Sequence, residues 1–315
     1  MGNQLTNTIL MVAPTDFEFN EQTAQDNEFQ HKPEFTTKLE LQKQVRSEFD
    51  NAVSMLRHAG VQVLVLEKPP GLPQMPDAVF PNNWFATDEE GRIYLFPMFT
   101  ENRRAEKLQL DAVVHLLKLS GFDISEYVDM STNVSEGFLE GTGSMIFDRV
   151  KSRIYASRSV RTDEDRIQEF LEKSAFQEAI VFDAISSSGQ PFYHTNVVMS
   201  IGDGFSVATI DAVPDGPEKH QLVYYLGQSR DLIEISKVQA EQYFCGNILQ
   251  LSTQLGNSVI VMSTSAYEGF TEDQLDELSE FGTLLPISIP TIEKVGGGSA
   301  RCMMAEIFLP RMKNA

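Results

Sequence analysis

The sequence predicts an α/β protein made of five strand-strand-helix-strand units, closed into a ring as one domain over residues 1–315. Three observations carry this expectation. A hairpin pattern recurs along the chain, helical stretches fall between the hairpins, and extended segments lead from the helices into the next hairpin. Aligning Asn83, Gly143, Asn196, Asn247 and Ser299 gives steps of 60, 53, 51 and 52 residues. A step that constant is hard to obtain by chance.

The elements follow in order. Ile9-Leu10-Met11-Val12 reads as a first strand. Thr37 to His58 has Leu39, Leu41, Val45, Phe49, Val53 and Leu56 at helical spacing, and Val61 to Leu66 is extended. The first hairpin runs Asn82 to Thr87, turns at Asp88 to Gly91 and returns over Ile93 to Phe96. Arg103 to Leu119 is helical. The second hairpin is Gly141 to Phe147 with Ile154 to Ala156, followed by a helix over Asp163 to Lys173 and a strand over Ala179 to Phe182. The third is His194 to Ile201, a Gly202-Asp203-Gly204 turn, then Val207 to Ile210. The fourth is Gly246 to Leu251 with Ser258 to Met262. Thr271, three residues before Gln274, opens a helix as a capping box, and Thr283 to Ile287 is extended. The fifth begins at Ser299, with a last strand over Met303 to Leu309. The N- and C-terminal strands then share one unit, and ring closure leaves no exposed sheet edge.

Bulk properties narrow the function. The chain has 315 residues, 42% of them hydrophobic, and a mean hydropathy of −0.20, as in ordinary globular proteins. No apolar run approaches the roughly 18 residues of a membrane span. The first residues carry no basic segment or long apolar core, so a cytoplasmic location is expected. Two cysteines, Cys245 and Cys302, are too few for a disulfide framework. A net charge of −20 disfavours nucleic acid as a partner. Cysteine and histidine spacings fit no zinc motif, so no metal or other cofactor is expected. No pattern sets an oligomeric state.

In a ring of repeats, equivalent positions converge. The polar residues that lead into the hairpins are Asp77 with Asn82 and Asn83, Glu140, His194 with Asn196, Asn247, and Cys302. Each alone also reads as structure: a strand-end acid, a packed histidine, turn amides, a small buried cysteine. Together, Cys302, His194 and Glu140 make a workable nucleophilic set. The run Gly296-Gly297-Gly298 delivers the thiol, an imidazole moves protons, and a carboxylate binds substrate or orients charge.

These segments resemble the guanidino-group-modifying superfamily of arginine deiminases, amidinotransferases and dimethylarginine hydrolases. Met75-Pro76-Asp77-Ala78-Val79-Phe80 is similar to a segment bearing a substrate-binding acid. Leu139-Glu140-Gly141 is similar to that of the catalytic glutamate. Asn102-Arg103-Arg104 and Ser159-Val160-Arg161-Thr162 resemble segments whose arginines hold the substrate carboxylate. The resemblance implies a five-bladed pseudo-symmetric α/β propeller, the pentein fold, of ββαβ-type repeats. It also implies the chemistry: Cys302 attacks a guanidino or ureido carbon, His194 protonates the leaving nitrogen and then activates water, and Glu140 holds substrate N–H groups.

Two departures bear on the substrate. Deiminases and amidinotransferases carry Asp where this chain has Asn196, and dimethylarginine hydrolases have an acidic pair where it has Asn82 and Asn83. A guanidinium offers only donors and suits carboxylates, whereas an amide also donates to a ureido carbonyl. The substitutions therefore favour an arginine-related amino acid with a neutral ureido group, or a weaker grip on a guanidinium. The expected reaction is hydrolysis of citrulline to ornithine, carbon dioxide and ammonia, as in citrulline-utilisation hydrolases. A deiminase, dihydrolase or amidinotransferase acting on arginine or a substituted arginine is the alternative, and a non-catalytic propeller that binds a partner is a further one. The polar loop from Thr15 to Pro33 reads as a lid by its length and composition.

Overall fold

The computed structural model describes residues 2–33, 37–132, 135 and 137–312. In chain order its strands are β1 (Thr8–Val12), β2 (Gln62–Leu66), β3 (Phe85–Thr87), β4 (Arg92–Leu95), β5 (Glu126–Asp129), β6 (Ile146–Asp148), β7 (Arg153–Ser157), β8 (Glu178–Phe182), β9 (Met199–Ile201), β10 (Phe205–Ala208), β11 (Asp231–Glu234), β12 (Leu249–Ser252), β13 (Ser258–Ser263), β14 (Thr283–Ile287) and β15 (Ala305–Glu306).

They form five three-stranded sheets. Four follow one rule: the middle strand pairs antiparallel with the strand before it and parallel with the strand after it, as β3-β4-β5, β6-β7-β8, β9-β10-β11 and β12-β13-β14. The fifth joins the two ends of the chain. β1 pairs antiparallel with β15, Ile9 opposite Glu306, and parallel with β2. Parallel neighbours need a crossover, and helices supply it. Lys38–His58 bridges β1 to β2, Leu110–Leu119 bridges β4 to β5, and Glu164–Lys173 bridges β7 to β8.

Local chemistry sets these helices. Thr37 and Glu40 form a reciprocal capping box at the start of Lys38–His58, and Leu41, Val45, Phe49, Ala52, Val53 and Leu56 make its buried stripe. Leu39, expected on that stripe, is exposed. Thr271 and Gln274 form the predicted capping box ahead of Glu272–Ser279.

The hairpin lead-ins differ from expectation. Four of the five are single helical turns, at Pro81–Asn83, Gly141–Ser144, Thr195–Val198 and Ala300–Met303, rather than extended chain. These turns pack on one another: 81–83 meets 141–144 and 300–303, and 141–144 meets 195–198. A one-turn helix lets several consecutive polar groups face a crowded junction, which the alternation of a strand forbids. The last strand therefore shrinks from the expected 303–309 to 305–306. Helix Pro217–Gly227 and strands β5 and β11 give weak sequence signals. The helix buries only Leu222 and Leu226, and β5 is exposed apart from its half-buried Val128.

Candidate active site

Cys302 sits in the last of these turns, 3% exposed. The preceding helix, Pro290–Gly296, stops at Gly297, which has a φ of +65° and so favours glycine. A methyl group on Gly297 would also lie 2.4 Å from Gln30 Cγ, and one on Gly296 would lie 2.8 Å from the Phe80 ring. Ser299 Oγ donates to the buried Glu293 carboxyl and anchors the turn. The sulfur of Cys302 receives Asn196 Nδ2 at 3.4 Å and Asn247 Nδ2 at 3.3 Å.

His194 and Glu140 form the second part. His194 Nε2 lies 2.8 Å from Glu140 Oε2. Glu140 Oε1 accepts from the Phe99 backbone N–H at 2.9 Å, and Arg161 Nη1 donates to Oε2 at 3.4 Å. Burial alone would raise Glu140, but the Arg161 guanidinium and the His194 hydrogen bond hold its carboxyl far below the usual carboxylate range. Burial, with the Arg161 and Arg103 charges, lowers His194 against the opposing pull of Glu140. Burial also pushes the Cys302 thiol up, against the pull of Asn247. At neutral pH the resting pair is therefore a thiol and a neutral imidazole. A methyl group on Gly143 would sit 2.5 Å from Asn83 Nδ2 and 2.7 Å from His194 Cε1, so only glycine lets both approach.

Cys302, His194, Asp77, Asn83, Arg103 and Arg161 line one cavity with Thr23, Asn27, Phe80, Tyr193 and Gly296 to Gly298. Asn82, Arg104, Glu140 and Asn196 are not among its lining residues, and Glu140, expected to hold substrate N–H groups, is instead engaged by His194, Phe99 and Arg161. Asn82 Nδ2 donates to Thr142 Oγ1 at 3.3 Å, and Arg104 donates to the Met98 and Phe99 carbonyls at 3.0 and 2.8 Å. Arg103 lines the cavity, but four of its five N–H donors are engaged. Nε and Nη2 grip Glu106 at 2.7 and 3.0 Å, Nη1 reaches Asn83 Oδ1 at 2.8 Å, and Nη2 also reaches the Phe80 carbonyl at 3.1 Å. That geometry makes it a holder of Asn83 rather than a free carboxylate clamp.

Two residues of this lining each have a buried polar atom with no partner, Asp77 Oδ1 and Asn83 Nδ2. Buried unpaired groups of this kind cost about 1–3 kcal/mol each. Burial pushes the Asp77 carboxyl up against the opposing pull of Arg103 and Asn20. Asn196 Oδ1 is likewise unpaired.

The loop read as a lid covers this cavity. Asn20 Nδ2 and Thr23 Oγ1 donate to Asp77 Oδ2 at 2.7 and 3.2 Å, and Asn27 Nδ2 donates to the Gly297 carbonyl at 3.2 Å. Asp26 takes the Arg161 fork, with Nε at 2.6 Å and Nη2 at 2.9 Å. The space left beneath is about 10 Å³, roughly what one water needs. On the outer side of Asp26, a depression of about 330 Å³ is lined by Phe29, Val160, Pro191 and Tyr193.

Sequence reasoning did not find Thr23, Asp26, Asn27, Tyr193 or Glu106 as site residues. The polar run from Asn20 to Gln30 was the one signal for the first three. Tyr193, next to His194, donates its hydroxyl to the Gly297 carbonyl at 2.6 Å and reads in sequence as core. Among the described residues, no group of three or more His, Cys, Asp or Glu could hold a metal ion, and no helix is long and apolar enough to cross a membrane.

A family model described as N,N dimethylarginine dimethylhydrolase, eukaryotic, matches residues 13–309. Among solved structures, the chain resembles ArgZ, an arginine dihydrolase from the ornithine-ammonia cycle in cyanobacteria, with a TM-score of 0.73 and 16% identity, covering 97% of this chain and 41% of that one. It thus spans about two fifths of the full length of ArgZ. Against the N-terminal domain of ArgZ bound to substrate the TM-score is 0.71 at 16% identity, over 96% of this chain and 98% of the other. A dimethylarginine dimethylaminohydrolase adduct with S-methyl-L-thiocitrulline aligns at TM-score 0.66 and 12% identity, over 96% and 100%. At these identities the likeness is one of fold. No curated protein sequence matches significantly.

Proposed function

The chain belongs to the N,N dimethylarginine dimethylhydrolase family, hydrolases of guanidino C–N bonds, and from that premise we propose that it hydrolyses the ureido carbon of an arginine-related amino acid. The best substrate on this reading is citrulline, cleaved to ornithine, carbon dioxide and ammonia. Residues 1–315 act as one catalytic domain, with the five units closed as a propeller. The enzyme works in the cytoplasm.

One observation carries the ureido reading. Two residues that line the cavity each carry an unpaired buried atom, an acceptor at Asp77 Oδ1 and a donor at Asn83 Nδ2. A ureido group offers the complement, an N–H donor and a carbonyl acceptor. A guanidinium has no acceptor and leaves Asn83 Nδ2 unsatisfied.

The reaction follows from the residues. Cys302 gives its proton to His194 as Sγ attacks the ureido carbon. The terminal nitrogen takes that proton from His194 and leaves as ammonia, and the carbon stays on sulfur as a thiocarbamate. His194 then draws a proton from water, whose oxygen adds to the carbon and expels Cys302. The carbamate released decomposes to ornithine and carbon dioxide. Ionised Glu140 stabilises the imidazolium each time it forms. Arg161 receives the α-carboxylate once Asp26 withdraws.

Arginine dihydrolysis is the second reading. It is favoured by the Asp77 carboxylate, which suits a guanidinium, and by the fold shared with ArgZ. It must also pass a ureido intermediate through the same groups. The test is incubation with arginine, citrulline, methylated arginines and succinylarginine, assaying ammonia, ornithine and the mass of Cys302. Ornithine from citrulline, with an S-thiocarbamate adduct on Cys302 that retains the ornithine moiety, is the expected result. Arginine converted to ornithine with two ammonias selects the dihydrolase. Citrulline accumulating from arginine and going no further rejects the ureido reading. Turnover by Cys302→Ala rejects the mechanism.

A further inference from the structure

The fourth unit brings no titratable group to Cys302, yet its leading asparagine reaches the sulfur. Asn247 is fully buried. Its Nδ2 donates to the Asn196 backbone carbonyl at 2.8 Å and to Cys302 Sγ at 3.3 Å. Its Oδ1 accepts from the Arg301 backbone N–H at 3.1 Å and lies 3.7 Å from Cys302 Sγ, in reach of the thiol hydrogen. The two backbone partners fix which end of the amide is oxygen, because turning it over would set N–H against N–H and carbonyl against carbonyl. One hydrogen and one lone pair are left over, and both face the sulfur.

We propose that Asn247 is a catalytic residue that hydrogen-bonds the Cys302 sulfur in both protonation states, accepting from the thiol through Oδ1 and donating to the thiolate through Nδ2. The inference rests on Cys302 being the nucleophile. Among the described side chains hydrogen-bonded to the sulfur, Asn247 alone presents both a donor and an acceptor. Asn196 gives one donor at 3.4 Å, and its Oδ1 is unpaired. Arg103 and Arg161 aim their donors at carboxylates, carbonyls and Asn83. With a neutral substrate, no ligand charge helps form the thiolate, so the amide's contribution is needed in the enzyme itself.

The test titrates Cys302 in a Cys245→Ser background, by ultraviolet thiolate absorbance and by the pH dependence of iodoacetamide alkylation, with and without Asn247→Ala and Asn247→Asp. The Ala variant should move the thiol midpoint upward by about one to two pH units, the size of one lost charge-assisted hydrogen bond. The Asp variant keeps the shape and the acceptor for Arg301, and should move it further because its carboxylate repels the thiolate. Citrulline turnover should fall about tenfold or more at neutral pH and recover in part as pH rises, a rescue that a purely structural role does not show. Unmoved midpoints in the Asp variant overturn the proposal even if activity is lost. Turnover by Cys302→Ala overturns the nucleophile reading, and this proposal with it. An inactive Cys302→Ala protein with unmoved Asn247 midpoints overturns this proposal alone.

Discussion

Removing the Asp26 carboxylate should tighten substrate binding. Asp26 holds the Arg161 fork through two bonds of 2.6 and 2.9 Å, the place proposed for the substrate α-carboxylate. Arg161 is 2% exposed and Asp26 17% exposed at the side chain. A pair so nearly dry is worth about 1.5–3 kcal/mol, the net value of a charged hydrogen bond. That energy favours the closed lid by about 10- to 150-fold, and apparent affinity is reduced by the same factor, since only the open state admits ligand. Asp26→Ala should therefore lower the dissociation constant for citrulline by about tenfold or more, and Asp26→Asn, which keeps an acceptor, by less. Titration calorimetry in a Cys302→Ala background reads binding without turnover, and steady-state kinetics with Cys302 intact give KM and kcat. Weaker binding in Asp26→Ala refutes the reasoning, because Asp26 would then be a partner of the substrate ammonium. Unchanged binding shows that the pair does not hold the lid.

Three further outcomes follow from the geometry. Asn83→Asp keeps an acceptor for Arg103 but removes the unpaired donor, so the preference for citrulline over arginine should fall about 10- to 100-fold in kcat/KM; an unchanged ratio refutes the ureido argument. Gly143→Ala should cost about 1–3 kcal/mol of stability by overpacking and lower kcat about 100-fold by displacing His194 and Asn83, and wild-type turnover would contradict the close approach. Burial pushes Glu293 up to about 7, against the pull of Ser299. A folded value above the unfolded one means the native state binds more protons, so stability falls as pH rises from about 4.3 to about 7, by about 4 kcal/mol. Glu293→Gln removes that slope, so its urea midpoint should gain on the wild type between about pH 5 and about pH 8, and parallel curves would refute it.

Much of the fold could be read from local patterns. The near-constant step from Asn83 to Ser299 foretold the repeating units, and all five units are present as sheets with one topology. The Thr271 capping box stands where the sequence placed it, and the helix expected from Thr37 begins there with a capping box of its own. The weak elements failed for one reason: β5 and helix Pro217–Gly227 bury little, so selection for apolar spacing is slack there. The lead-ins failed because three or four residues cannot show whether they are one helical turn or the start of a strand.

The sequence by itself determined the units, the caps and the set of polar residues placed near their junctions, because periodicity and capping act over three to four residues. Only the tertiary structure decided which of those residues meet. It placed Asp26 on Arg161 across 135 residues, Asn196 on Cys302 across 106, and Asn247 on Cys302 across 55. It also spent the donors of Arg103 on Glu106 and Asn83, and turned Arg104 to the Met98 and Phe99 carbonyls. A buried polar group takes whatever partner packing brings within about 3 Å, and no local pattern records that choice.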